Sequence, residues 1–135
     1  MDNAGVYDLA VTAVTAPLTS QVYTPITGLD GISAACLECE LLGGTGGTSI
    51  DVLAQTSFDG GTTWLDVAHF TFTTAPAKKF AVINSLASKG VTAYSALSAQ
   101  ADAVNDGLLG DQLRAVISST GTYTNTTVAL RAHAK

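Results

Sequence analysis

Residues 49–72 read SIDVLAQTSFDGGTTWLDVAHFTF, and the parsing of this stretch decides the fold. From Ser49 to Ser57 polar and apolar residues alternate, placing Ile50, Val52 and Ala54 on one face. That is the period of a half-buried β-strand. Asp59-Gly60-Gly61-Thr62 is turn chemistry, because aspartate bonds nearby backbone N–H groups and glycine accepts positive φ. Thr63 to Phe72 then forms a second strand carrying Trp64, Val67, Phe70 and Phe72. Its alternation slips by one residue between Asp66 and His69, which predicts a β-bulge. Strand, tight turn and strand make an antiparallel hairpin.

The same period extends outward. Tyr7 to Thr15 reads as a first strand with Leu9, Val11 and Ala13 on one face. Gln21 to Ile26 is a short second strand, confined to an edge or bend by Pro17 and Pro25. After a turn at Leu29-Asp30-Gly31, Ser33 to Leu42 is a third, with Cys36, Glu38 and Glu40 opposite Leu37, Cys39 and Leu41. GGTGGT, Gly43 to Thr48, reads as a flexible loop. Beyond the hairpin come Lys78 to Leu86, then Leu113 to Ser119 with Leu113, Ala115 and Ile117 together, then Thr126 to His133 with Val128, Leu130 and Ala132 inward. Residues 87–110 fit either one long loop or a short helix. The expectation is a single all-β domain over residues 1–135, an antiparallel β-sandwich of about eight strands with jelly-roll-like order.

Composition narrows the function. The chain holds 13% charged residues, with six Lys and Arg against eleven Asp and Glu, for a net charge of −5. Nucleic-acid binding requires a basic stripe to neutralise phosphates, so no nucleic-acid partner is expected. The same deficit argues against an anionic membrane surface. No apolar run approaches the length of a transmembrane helix. The start, MDNAGVYDLAVTAV, has an acidic residue and no basic region, so a secretory signal is not expected.

The candidate reactive residues form no constellation. Cys36 and Cys39, three apart in a strand, point to opposite faces and neither bridge nor share a metal. His69 and His133 lie on strands without a nucleophile motif, as surface or half-buried histidines. Glu38 and Glu40 share a face but read as solvent-facing glutamates rather than a glycosidase pair. Asp102, Asp106 and Asp111 are too loosely spaced for a calcium loop, and the glycines at 43–47 lack the lysine and helix of a phosphate-binding loop. No catalytic, cofactor-binding or metal site is therefore expected.

Ser57-Phe58-Asp59-Gly60-Gly61-Thr62-Thr63-Trp64 also matches S-x-D-x-G-x-T-W, the Asp-box that recurs in sialidases and other β-propeller glycosidases. A propeller needs at least four blades of about 40–50 residues, more than this chain holds, and no internal repeat is visible. The resemblance therefore implies a hairpin device. Ser57, Asp59, Gly60, Gly61, Thr63 and Trp64 form it, with Asp59 the acceptor, Gly61 the permissive residue, Thr63 a hydrogen-bonding support and Trp64 an apolar anchor.

A wider likeness joins DVLAQTSFDGGTTWLDVAHFTF to DGLLGDQLRAVISSTGTYTNTTVALRA across a variable loop. This arrangement resembles small β-rich virion structural proteins of tailed bacteriophages and covers roughly residues 49–134. The resemblance implies a non-enzymatic virion component without cofactor, assembled in the bacterial cytoplasm as an oligomer. It points first to a capsid cement or decoration protein whose partner is the major capsid protein. A neck or tail component, such as a connector or terminator ring, is the alternative within the virion. A carbohydrate-binding module, with Tyr7, Tyr23, Tyr94 and Tyr123 stacking on sugars, is the alternative outside it.

Overall fold

The computed structural model describes residues 4–135, so the acidic start at Asp2 lies outside the described residues. Within them there are ten strands and no helix. The strands are β1 (Gly5–Ala13), β2 (Gln21–Val22), β3 (Ala34–Leu42), β4 (Thr45–Gly46) and β5 (Ser49–Ser57). They continue with β6 (Leu65–Phe72), β7 (Ala77–Asn84), β8 (Gln112–Thr120), β9 (Tyr123–Thr124) and β10 (Thr127–Ala134). One sheet has the order β1-β10-β3-β7, a second β2-β8-β5-β6, and β4-β9 is a two-stranded ribbon. All pairings are antiparallel.

The two larger sheets form a β-sandwich because each strand has one apolar face. Leu37, Cys39 and Leu41 of β3 and Val128, Leu130 and Ala132 of β10 are buried from the first sheet. Ile50, Val52 and Ala54 of β5 meet them from the second, with Leu113, Ala115 and Ile117 of β8. Burying each large aliphatic side chain contributes roughly 1.5–3 kcal/mol before conformational entropy is set against it.

Two bulges adjust the registers. Across β5 and β6, Ala54 faces Ala68 while Gln55 faces Asp66, so Val67 is the extra residue, within the slip read between Asp66 and His69. The second bulge changes an expectation. Asp8 faces Arg131 and Ala10 faces Leu130, leaving Leu9 unpaired. Leu9, Val11 and Ala13 therefore do not share a face. Leu9 and Ala10 are both buried, and Val11 turns outward at 52% exposure.

Other expectations shift for local reasons. Gly43 to Thr48 is no loose loop, since Thr45 and Gly46 pair with Thr124 and Tyr123. Gly47 has positive φ, and a Cβ there would sit 2.1 Å from the Tyr123 ring, so glycine is required for the ribbon to close. The second strand is regular over two residues only. Beyond it Tyr23 N–H donates to Ala115 O and Ile26 N–H to Leu113 O, an interrupted continuation that Pro25 explains. The strand expected at Lys78 to Leu86 ends at Asn84, leaving Leu86 exposed.

The connection between β7 and β8 has a structural task. It contains no helix. It runs along the outer edge of β6, where His69 N–H donates to Ala103 O (2.9 Å) and Asn105 N–H to Val67 O (2.8 Å). Asn105 Nδ2 donates to Asp66 O and Ser95 O, and Asp66 Oδ2 accepts from Leu97 N–H. An open strand edge invites pairing with another chain, and this segment closes one.

Candidate functional site

The hairpin turn between β5 and β6 is closed by a compact set of local polar bonds. Ser57 Oγ donates to Asp59 Oδ1 (2.9 Å) and accepts from Gly61 N–H (2.9 Å). Asp59 Oδ1 also accepts from Thr63 N–H (2.8 Å), while its Oδ2 accepts from Thr63 Oγ1 (2.6 Å). Gly60 and Gly61 have φ of 70° and 94°, where a side chain would be strained. Trp64 Nε1 donates to Gly61 O, and the Arg114 guanidinium lies 4.2 Å from the Trp64 ring centroid. The Thr63 hydrogen bonds lead in lowering the Asp59 carboxyl to about 2. Asp59 is exposed, and every neighbour bonded to its carboxylate lies within its own turn.

This turn is fastened to the segment that opens β8. Thr56 Oγ1 donates to Gln112 O (2.8 Å) and accepts from Gly110 N–H (2.7 Å). Asp111 N–H donates to Ser57 O. A Cβ on Gly110 would lie 2.0 Å from Ser57 O, so only glycine permits this approach. Arg114 Nε donates to Gln55 Oε1 while stacking on Trp64. The segments 51–72 and 106–132 thus touch, and pack together at this point.

The remaining candidates are dispersed. Cys36 is exposed and Cys39 buried, on opposite faces of β3, and burial pushes the Cys39 thiol up to about 12. His69, expected at or near the surface, is buried instead because the β7–β8 connection covers it. Its Nε2 meets Asp51 Oδ1 (2.9 Å), and its Nδ1 meets Leu97 O (2.8 Å) and Gln100 O (2.9 Å). All three partners are oxygen acceptors, so the ring is fixed from both nitrogens. His133 is exposed on β10.

The three aspartates of the β7–β8 connection act separately. Asp102 bonds Lys79 Nζ (2.9 Å) and Thr71 N–H. Burial alone would raise its carboxyl, but the Lys79 and Thr71 hydrogen bonds and the Lys79 charge together outweigh that and hold it below the usual range. Asp106 Oδ1 accepts from Asn84 N–H, and Asp111 Oδ1 is buried without a hydrogen-bond partner. Among the described residues no three His, Cys, Asp or Glu side chains converge as a metal site.

The outer face of the β1-β10-β3-β7 sheet was not singled out by sequence. Its registers place Val6, His133, Cys36 and Val82 in one row and Asp8, Arg131, Glu38 and Phe80 in the next. Arg131 bridges Asp8 (3.0 Å) and Glu38 (3.7 Å), and Lys78 reaches Glu38 (3.8 Å) and Glu40 (3.4 Å). Beside this ionic row Phe80 is 75% and Val82 57% exposed. The available signal was FAV in Phe80 to Val82, whose alternation puts two large apolar side chains on the side away from Ala81 and Ile83.

Compared with protein-family models, curated proteins and solved structures, the chain matches none.

Proposed function

We propose that this chain is a non-enzymatic structural protein of a tailed-phage virion, acting as a capsid cement or decoration protein between subunits of the major capsid protein. The observation that carries the reading is a division among side chains. Asp59, Asp66, His69, Asp102 and Asn105 bind the chain's own turns and loops. The outer face of the β1-β10-β3-β7 sheet meanwhile presents Val6, Phe80 and Val82 to solvent around paired charges. Polar groups that hold a scaffold together and large apolar side chains exposed on a sheet face suit assembly better than catalysis.

Three further features support it. The segments resembling phage virion proteins pack as one unit around Ser57, Gly110 and Arg114. The net charge of −5 complements a basic capsid surface. Setting aside the β4-β9 ribbon, strands cross between the sheets at every connection except the β5–β6 hairpin, which is how a jelly roll is wound.

A neck or tail component would display the same face, and copy number separates the two. Quantitative mass spectrometry of purified particles is expected to find this chain at a stoichiometry near that of the major capsid protein. Six or twelve copies would place it at the neck or tail, and absence from the particle would overturn the reading. The carbohydrate-binding alternative is weakened because three of its four tyrosines are committed to the core, leaving only the Tyr94 ring exposed. Tyr123 is buried with its hydroxyl on Thr73 O, Tyr7 and Tyr23 pack on the core, and the Tyr94 hydroxyl accepts from Asp66 N–H. Specific hits on a glycan array would restore it.

A further inference from the structure

The sandwich has four strand edges, and three are blunted. β1 carries the bulge at Leu9, β2 is two residues long, and β6 is covered by residues 103–105. The fourth, β7, is eight residues long and in unbroken register with β3. Ser85 N–H donates to Ser33 O, which sets the alternation of the ladder. Ile83, Ala81 and Lys79 therefore direct their backbone groups to β3, while Val82, Phe80 and Lys78 direct theirs to the open side. Among the described residues nothing pairs with those three.

The open stretch is bounded symmetrically. At one end the Asn84 N–H, which also points outward, is taken by Asp106 Oδ1 (3.2 Å). At the other end the matching outward position is Pro76, which has no N–H. Midway between them lies Phe80. In an antiparallel pairing of two identical strands centred there, Phe80 meets its own copy, Lys78 meets Val82 of the other chain, and Asn84 meets Pro76. The two positions unable to join the ladder thus face each other, and about six main-chain hydrogen bonds form between them.

Charge also permits the approach. Lysine on an edge strand ordinarily repels a second strand. Here Lys78 lies against Glu38 and Glu40, and Lys79 is held by Asp102 and Thr71 O. In the symmetric register no lysine opposes another lysine across the ladder. The exposed Phe80 side chains would lie side by side on the outer face, beside Val82 from each copy.

We propose that β7 pairs antiparallel with β7 of a second copy about a two-fold axis at Phe80, joining two β1-β10-β3-β7 sheets into one continuous sheet. A foreign strand would have no reason to match an edge bounded symmetrically about Phe80, whereas a second copy does so by construction. The proposal stands independently of the virion assignment, because it concerns only the free chain.

Sedimentation equilibrium over a broad concentration range is expected to show a monomer–dimer equilibrium. Phe80→Lys, which alters a side chain already in solvent, should raise the dissociation constant by about tenfold or more through like charge at the axis. Circular dichroism is expected to show that its fold is retained. If that variant fails to fold, Val82→Lys, placing two lysines opposite each other, provides the same reading. Register is tested by oxidation in a Cys36→Ser background. Phe80→Cys should cross-link two chains, since paired Cα atoms lie about 5.5 Å apart. Val82→Cys should not, its copies being about 14 Å apart. A chain monomeric at every concentration, a dimer indifferent to both lysine variants, or cross-linking through position 82 rather than 80 would each overturn the proposal.

Discussion

Replacing Thr56 by Val tests whether the hairpin and the start of β8 are one unit. The side chain is fully buried, and its hydroxyl bonds Gln112 O (2.8 Å) and Gly110 N–H (2.7 Å). Valine keeps the shape, so no cavity opens, and the loss is confined to the two hydrogen bonds. At about 1 kcal/mol net each, with an added penalty for a partner left dry, the cost is about 2–3 kcal/mol. Unfolding entropy near 2.1 cal/mol/K per residue gives about 0.28 kcal/mol/K for a chain of this length, so Tm should fall by about 7–11 °C. Thr56→Ser keeps the hydroxyl and loses one methyl, for about 1 kcal/mol and about 4 °C. Calorimetry of both variants reads these values. Hydrogen exchange adds a local readout, because the Gly110 amide should lose protection in the Val variant alone. A Val variant melting within a degree or two of wild type, or less destabilised than the Ser variant, would refute the coupling.

Further outcomes follow from other sites. Asp59→Ala should lower Tm at neutral pH, and the gap to wild type should close with acidification. The folded carboxyl is lowered from 3.8 to about 2, so its stabilisation is present above the ordinary value and is lost as pH falls toward 2. A gap that persists at pH 2 would assign the effect to something other than the carboxylate. A thiol reagent at neutral pH should label one cysteine per native chain, Cys36. Cys39, buried and raised to about 12, should react only after denaturation, and rapid labelling of both would contradict its placement. Leu130→Ala, at a fully buried position between β1 and β3, should cost about 2–5 kcal/mol in urea titration with little change in slope.

Much of the sandwich is legible because one face of a strand in a two-layer fold must be apolar. Ile50, Val52 and Ala54, or Val128, Leu130 and Ala132, announce their inward face by period alone, and the bulge at Val67 announces itself as a slip in that period. The bulge at Leu9 leaves no such mark. Leu, Ala and Val tolerate either side of the sheet, so only the pairing with β10 reveals that Val11 faces out. The β7–β8 connection is illegible for a different reason. Its anchors are backbone carbonyls, the Tyr94 hydroxyl, the Asn105 amide and the acceptors around His69, and none of these creates a period. His69 accordingly looks like a surface or half-buried residue until the segment covering it is placed. The turn at Asp59 can be read in advance because every side-chain bond Asp59 makes spans four residues or fewer. The exposed face around Phe80 requires the registers of four strands at once.

The β5–β6 hairpin is also the one place in the two large sheets where neighbours in space are neighbours in sequence. Every other pairing waits for distant chain, and β1 waits longest, since Gly5 pairs with Ala134. Folding of such a topology is slow, and its rate is set by whatever forms early without long loop closure. The turn held by Asp59 is the contact in the two large sheets that can form with the shortest loop closure. If that contact forms early, Asp59→Ala is expected to lose its stability mainly by slower refolding rather than faster unfolding, which stopped-flow refolding would read. A ribosome-bound chain would likewise acquire its hairpin before the last strand that encloses it has been made.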